Sequence, residues 1–210
     1  MTELDRTVLF FTTLEEGRLE EADEILKESY ELLESDDKNS LFWLNNNHIY
    51  LSIKKCVFQE AREFGNENIR LSEELDNLEL KHIALHQLAY IEREAKQYQQ
   101  ALDYIIQEKE IIEQLALAGN DVTLDKAVAT YEYAYLNFLL GNKAVAEKEM
   151  QFSLKLALQT EDKVAHACAY RGLGEILTDI SYLQKARDIF VELGDEYGVR
   201  EIDELMGKVR

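Results

Sequence analysis

No proline occurs in the 210 residues, although average usage of about 5% would place roughly ten in such a chain, and there are only nine glycines. Little here can interrupt a helix, so the first expectation is an all-helical chain. Cysteine is as scarce. Cys56 and Cys168 lie far apart and match no metal or redox spacing, which suits a reducing cytoplasm and makes both thiols free and buried by expectation. No run of about 18 apolar residues exists, and the opening Met-Thr-Glu-Leu-Asp-Arg has no basic segment followed by an apolar core. Neither a membrane span nor a signal peptide is read. Positive charge is the last shortage: 23 Lys and Arg face 42 Asp and Glu, a net charge of −19. Such a chain repels phosphate backbones and anionic lipid, so neither nucleic acid nor a membrane is expected as a partner.

The acids are unevenly placed. Residues 1–40 hold 13 acids and 4 bases, a net −9, which leaves −10 for the other 170 residues. Glu20, Glu21, Asp23, Glu24, Glu28 and Glu31 read as a solvated outer helix face, with an acidic docking site for a basic partner as the other reading.

A repeat runs through the chain. Alanine follows a short turn or polar connection five times, at Ala22, Ala61, Ala101, Ala146 and Ala186, spaced 39, 40, 45 and 40 residues apart. Ten residues after the first four stand Leu32, Leu71, Ile111 and Leu156 on amphipathic second helices. Upstream, first helices carry three columns: Leu44, Ala84, Ala129 and Ala169; Leu9, Leu88, Tyr133 and Leu173; and Leu51, Ile91, Leu136 and Ile176. Small alanines allow close helix crossing and the larger residues fill the space between hairpins. Turn or helix-start residues separate the units at 36–40, 76–77, 119–121 and 161–162, and the fifth unit ends at Gly194-Asp195. Val199, Ile202, Leu205, Met206 and Val209 then supply a terminal cap. The expected fold is all-α: a single solenoid domain over 1–210, with hairpins at about 3–40, 41–80, 81–125, 126–165 and 166–194 and a capping helix over 195–210.

This pattern resembles tetratricopeptide repeats. The resemblance rests on the Gly17/Ala22 and Gly141/Ala146 spacing, on Leu19, Tyr98 and Leu183 before the second helices, and on Gly174 in a tight crossing position. It covers nearly the whole chain. The period is near 40 rather than 34, and the family's unit-ending proline is missing; extra helical turns account for both. Repeat two is the least typical, with Asn45 and His48 where apolar residues belong. The resemblance implies a right-handed solenoid whose first helices line a concave groove. Carried over by the alanine register, the family's ligand-contacting offsets select Trp43, Asn46, Asn47 and Tyr50; His86, Gln87, Tyr90 and Arg93; Tyr131, Glu132, Tyr135 and Phe138; and Arg171 and Glu175. Amides that donate and accept, arginines that hold carboxylates and rigid tyrosines suit an extended peptide. The tyrosines also have a core-packing reading. The polar members are expected to be exposed.

Enzyme signatures are missing: no glycine-rich phosphate loop, no His-Glu-x-x-His and no Gly-x-Ser-x-Gly occurs. His82 and His86 share a helix face at i, i+4 and read as a polar surface pair, with zinc needing a third ligand from elsewhere. His166 and Cys168 make no site. No metal, no cofactor and no catalytic residue is assigned. The expectation is a cytoplasmic, non-catalytic protein- or peptide-binding module. Long-period arrays of this kind look like the sensor domains of Gram-positive peptide-pheromone regulators, whose Asn-lined groove reads a short peptide. With the first repeat starting near residue 3, no effector segment is expected before it, and any output is expected to pass through another protein. The alternative is a scaffold or homodimer working through its cap and convex faces, with Val199, Ile202, Met206 and Val209 docking on a second copy.

Overall fold

The structure is a computed structural model that describes residues 3–34 and 36–209, the side chains of Glu3 and Val209 apart. Eleven helices and no strand occur among the described residues: α1 Glu3–Glu15, α2 Leu19–Glu31, α3 Lys38–Lys54, α4 Phe58–Glu74, α5 Leu78–Glu94, α6 Tyr98–Leu117, α7 Thr123–Leu139, α8 Lys143–Ala157, α9 Lys163–Leu177, α10 Ile180–Leu193 and α11 Glu196–Val209. They form five consecutive pairs and a final helix. None is long and apolar enough to cross a membrane.

The turn inside each pair has one design. A residue with positive φ follows the first helix: Gly17, Cys56, Lys96, Gly141 and Thr178. The next residue's N–H bonds back to a carbonyl five positions earlier, as in Arg18 to Thr13, Val57 to Ser52, Gln97 to Glu92, Asn142 to Asn137 and Asp179 to Gly174. This left-handed ending satisfies carbonyls that the helix would otherwise leave open. Glycine meets the φ without strain, yet three of the five turns use a residue with a side chain. Cys56 is therefore exposed in a turn, contrary to the buried thiol expected of it, and Cys168 is half-buried. The same ending recurs between pairs at Asp76 and Gly119 and before the last helix at Gly194, and side-chain caps are added there. Asp37, Asn77 and Asp162 each accept from the N–H three residues on, at 2.9, 3.1 and 2.7 Å.

All five register alanines are fully buried. Four of them stand at the fourth residue of their helix, but Ala186 is the seventh of α10, because that helix starts at Ile180. Leu19, Tyr98 and Leu183 all lie within the second helices rather than before them: Leu19 and Tyr98 open α2 and α6, and Leu183 is the fourth residue of α10. There it meets Gly174 so closely that a Cβ on the glycine would stand 2.6 Å from the leucine side chain and 3.0 Å from its backbone nitrogen. Two column positions also differ from expectation in the first pair. Leu9 is exposed and Phe10 takes the core position, while Leu32 lies exposed just past the end of α2.

The helices fall into two compact units, Met1–Gln97 and Tyr98–Arg210, so the third pair contributes α5 to one and α6 to the other. In the first unit, Phe10, Leu14, Ala22, Ile25, Leu26 and Leu51 form one core, and Phe42, Leu71, Leu80 and Ala84 another. In the second unit, Ala134, Ala146, Met150, Leu173 and Ile176 pack together. Helix α11 covers Leu183, Ala186 and Phe190 with a fully buried Ile202 and with Val199, Leu205 and Met206. The Val209 side chain, assigned to the same apolar face, lies outside the described residues. Within each unit neighbouring first helices lie side by side, α3 beside α5 and α7 beside α9. Each unit thus owns a face made of first helices.

Candidate functional site

In the first unit, the sequence-selected residues of α3 and α5 gather into an aromatic strip. The Tyr50 and Phe11 rings meet edge to face at 5.5 Å, and Tyr50 lies 5.7 Å from the Tyr90 ring. The Arg93 guanidinium stands 5.2 Å over Tyr90, with one nitrogen 3.3 Å from Glu94. Gln87 donates from Nε2 to the Tyr50 hydroxyl at 3.2 Å, tying α5 to α3. At the other end of the strip a cleft of about 460 Å³ opens between α1 and α3, lined by Leu4, Thr7, Phe11, Trp43, Asn46, Asn47 and Tyr50. Trp43 is 45% exposed. His86 is half-buried one residue before Gln87.

Exposure was expected of the polar members, but the amides are buried and His86 and Arg93 are half-buried. Asn46, Asn47 and Gln87 keep only 8, 7 and 6% of their surface open. The amide oxygens of Asn46 and Gln87 are buried with no hydrogen-bond partner. The burial has a packing cause: three residues from Asn46 to Ile49 make nearly a turn, so the amides share their helix with a core that includes the fully buried Ile49 and Leu51. His82 is buried too, rather than lying on the surface with His86, and its Nε2 is 3.5 Å from Glu79.

In the second unit α7, α9 and α11 supply a different arrangement. Tyr131 and Tyr135 stack nearly parallel at 6.0 Å, and Phe138 follows at 6.3 Å from Tyr135. All three rest against the core of that unit, so here the core-packing reading of the aromatics also holds. Arg171 stands 5.8 Å over Tyr135 and pairs with Glu201 of α11 at 2.9 Å. The Tyr131 phenol beside it, and then Glu201, favour its charged form against burial. Tyr135 donates to Glu175 Oε1 at 3.4 Å, while Glu175 Oε2 is buried without a partner. Burial pushes the Glu175 carboxyl above its ordinary range, with Arg171 opposing. Glu132 is buried. His166 bonds to the carbonyls of Ala157 and Thr160, at 2.9 and 3.1 Å, and serves the end of α8.

Sequence reasoning missed α1. The register that selects Trp43, Asn46, Asn47 and Tyr50 before Ala61 selects Leu4, Thr7, Val8 and Phe11 when counted back from Ala22, and three of these four line the cleft. The signal lies in the sequence, because the first repeat follows the same alanine register. Glu201 was missed for another reason: the cap has no repeat register from which to count. The polar ladder of repeat two was equally hidden. Tyr30 donates to Asn45 Oδ1 at 3.0 Å, Asn45 donates to Asn68 Oδ1 at 3.1 Å, and Asn68 donates to the Phe42 carbonyl at 3.1 Å. His48 stacks on Phe64 at 4.0 Å. Both departures from the apolar pattern are thus built into packing.

No family model matches the chain, and no curated protein matches it. Solved structures do. The chain is similar to a signal transduction ATPase with numerous domains that carries a tetratricopeptide repeat sensor, from Pyrococcus horikoshii, at 15% identity and a TM-score of 0.67, over 94% of this chain and 31% of that one. It is similar to a Podosopora anserina kinesin-light-chain sequence of nearly identical TPR-like repeats, at 15% identity and a TM-score of 0.61, over 95 and 93% of the two chains. The apo form of RapI matches at 16% identity and a TM-score of 0.62, over 98% of this chain and 61% of that one. The fold is a TPR-like α-solenoid of five hairpins and a terminal capping helix.

Proposed function

We propose that this protein is a non-catalytic module that holds an extended peptide or partner segment on the first-helix face of its first unit. The observation that carries the reading is the half-buried aromatic strip Phe11–Tyr50–Tyr90, bordered by the half-exposed Trp43 and its cleft on one side and by Arg93 on the other. Rigid aromatic area flanked by amides and one cation is peptide-binding chemistry. The fold is shared with part of a chain described as carrying a tetratricopeptide repeat sensor, and a sensor or adaptor role fits the same surface. Within that role the reading extends to a short peptide signal, with Asn46 and Asn47 beside the peptide path. The Tyr131, Glu132, Tyr135, Phe138, Arg171 and Glu175 group of the second unit is a second contact surface in this reading. Its arginine is shared with Glu201, so the first unit carries the main contact.

The test is selection of a displayed random dodecapeptide library on the intact chain. Peptides should be captured, and Trp43→Ala and Arg93→Ala should each weaken them, while Glu24→Ala on the exposed face of α2 leaves them unchanged. Capture of no peptide overturns the reading, as does a loss confined to Glu24→Ala.

A further inference from the structure

The cleft between α1 and α3 has chemistry more specific than a peptide groove in general. Its walls are apolar and aromatic, from Leu4, Phe11, Trp43 and Tyr50, and its volume of about 460 Å³ is in the range of sites that enclose a ligand group. Asn46 reaches it from α3, and 92% of that side chain's residue is buried while Oδ1 accepts from nothing. Gln87 approaches the same tyrosine from α5. Its Nε2 is committed to the Tyr50 hydroxyl, which leaves Oε1, buried and without a partner, as the end still able to bond. Buried acceptors are nearly always paired in folded proteins. Asn46 lines the cleft and Gln87 is joined to it through the Tyr50 hydroxyl, and two such acceptors specify what their partner must offer: hydrogen-bond donors. A phosphate or a carboxylate brings none to these atoms, whereas the N–H edge of an extended peptide brings them at regular intervals.

We infer that the α1–α3 cleft is the anchor seat for one large apolar residue of an extended peptide, whose adjacent backbone N–H groups donate to Asn46 Oδ1 and Gln87 Oε1. This rests on the peptide-binding reading above and adds the identity of the anchor and the edge of the peptide that is read. The two amide oxygens are already shielded from water, so bonds made to them in that apolar setting are more favourable than in solvent, and the apolar anchor adds its contact with Phe11 and Trp43. An aliphatic or aromatic anchor is accepted and glycine is not. A peptide whose N–H groups are blocked at the anchor loses both bonds while keeping its apolar contact.

Trp43 is the one tryptophan of the sequence, so its emission reports on the cleft directly. The intact chain is titrated with three probes: Ac-Gly-Gly-Leu-Gly-Gly-amide, the all-glycine pentapeptide, and the leucine peptide N-methylated at leucine and at the glycine that follows. The leucine peptide should shift the emission to the blue and saturate. The all-glycine and N-methylated peptides should each bind roughly tenfold more weakly. Asn46→Leu and Gln87→Met should weaken the leucine peptide and erase its advantage over the N-methylated one. The three-probe comparison on the native chain stands even if a variant fails to fold. Equal binding of the leucine and N-methylated peptides overturns the donor assignment, and equal binding of the leucine and all-glycine peptides overturns the anchor. If no probe moves Trp43 while library peptides still bind through Arg93, the anchor seat is wrong and the peptide-binding reading survives; if library peptides fail as well, both fall.

Discussion

Asn68 is fully buried, donates to the Phe42 carbonyl and accepts from Asn45, which in turn accepts from Tyr30. Three helices of the first unit, α2, α3 and α4, are therefore joined through side chains that the apolar pattern of the repeat would not place there. Replacing Asn68 by Leu removes both bonds and strands the Asn45 amide in the core, while the Phe42 carbonyl keeps only its bond within α3. Urea unfolding should show a loss of about 2–3 kcal/mol. The buried Asn47 should also affect stability when replaced by Ala, by about 1 kcal/mol, whereas an exposed asparagine would show almost nothing. Glu175 is the residue with a clear pH signature. Its carboxyl is raised by burial above the ordinary value of 4.5, so the fold favours the protonated form. The sign follows: its contribution is fully present below about pH 4.5 and is lost as pH rises through the raised value. Glu175→Gln should therefore be more stable than the native chain at pH 7, and the difference should vanish when both are unfolded at pH 4.

At the scale of the helix pair, the alanine column was legible because a close crossing tolerates only a small side chain, and Ala22, Ala61, Ala101 and Ala146 are buried at the fourth position of their helices. The turns were legible only where glycine marks them, at Gly17 and Gly141. Cys56, Lys96 and Thr178 adopt the same positive φ with nothing in their chemistry to announce it. The strain they carry should be relieved by Lys96→Gly, with a gain of about 1 kcal/mol in thermal or urea unfolding, whereas Gly141→Ala should lose about as much. The fifth pair was misjudged in register for a related reason. Its turn ends at Thr178 and α10 begins at once, so Ala186 lies a helical turn further along its helix than its four counterparts. A shift of three residues keeps Arg171 and Glu175 on nearly the same side of α9 but changes their level along it. Gly174, in contrast, was correctly singled out as a close crossing. Gly174→Ala would force a methyl group against Leu183 and its backbone nitrogen, at a cost of about 1–3 kcal/mol.

At the scale of the molecule, each unit is a short stack in which every helix pair buries its face against the next, and the last face is closed by α11. Ending the chain at Gly194 would uncover Leu183, Ala186 and Phe190. The shortened protein should melt lower and bind a hydrophobic dye. The acidic bias of the first forty residues belongs to the outside of the first unit: Glu20, Glu21, Glu24, Glu28 and Glu31 are exposed on α2, and Asp23 alone turns inward to Lys55 at 2.9 Å. The first-helix face, formed by Phe11, Tyr50, Tyr90 and Arg93, is chemically separate from that acidic surface. Where a bound peptide touches the protein is the most direct test of the whole account. A library-selected peptide carrying a photoreactive benzophenone is bound to the intact chain, irradiated, and its crosslinks are mapped by mass spectrometry. Crosslinks should fall on α1, α3 and α5, among Phe11, Trp43, Tyr50 and Tyr90. Crosslinks gathered instead on the exposed glutamates of α2 would contradict it.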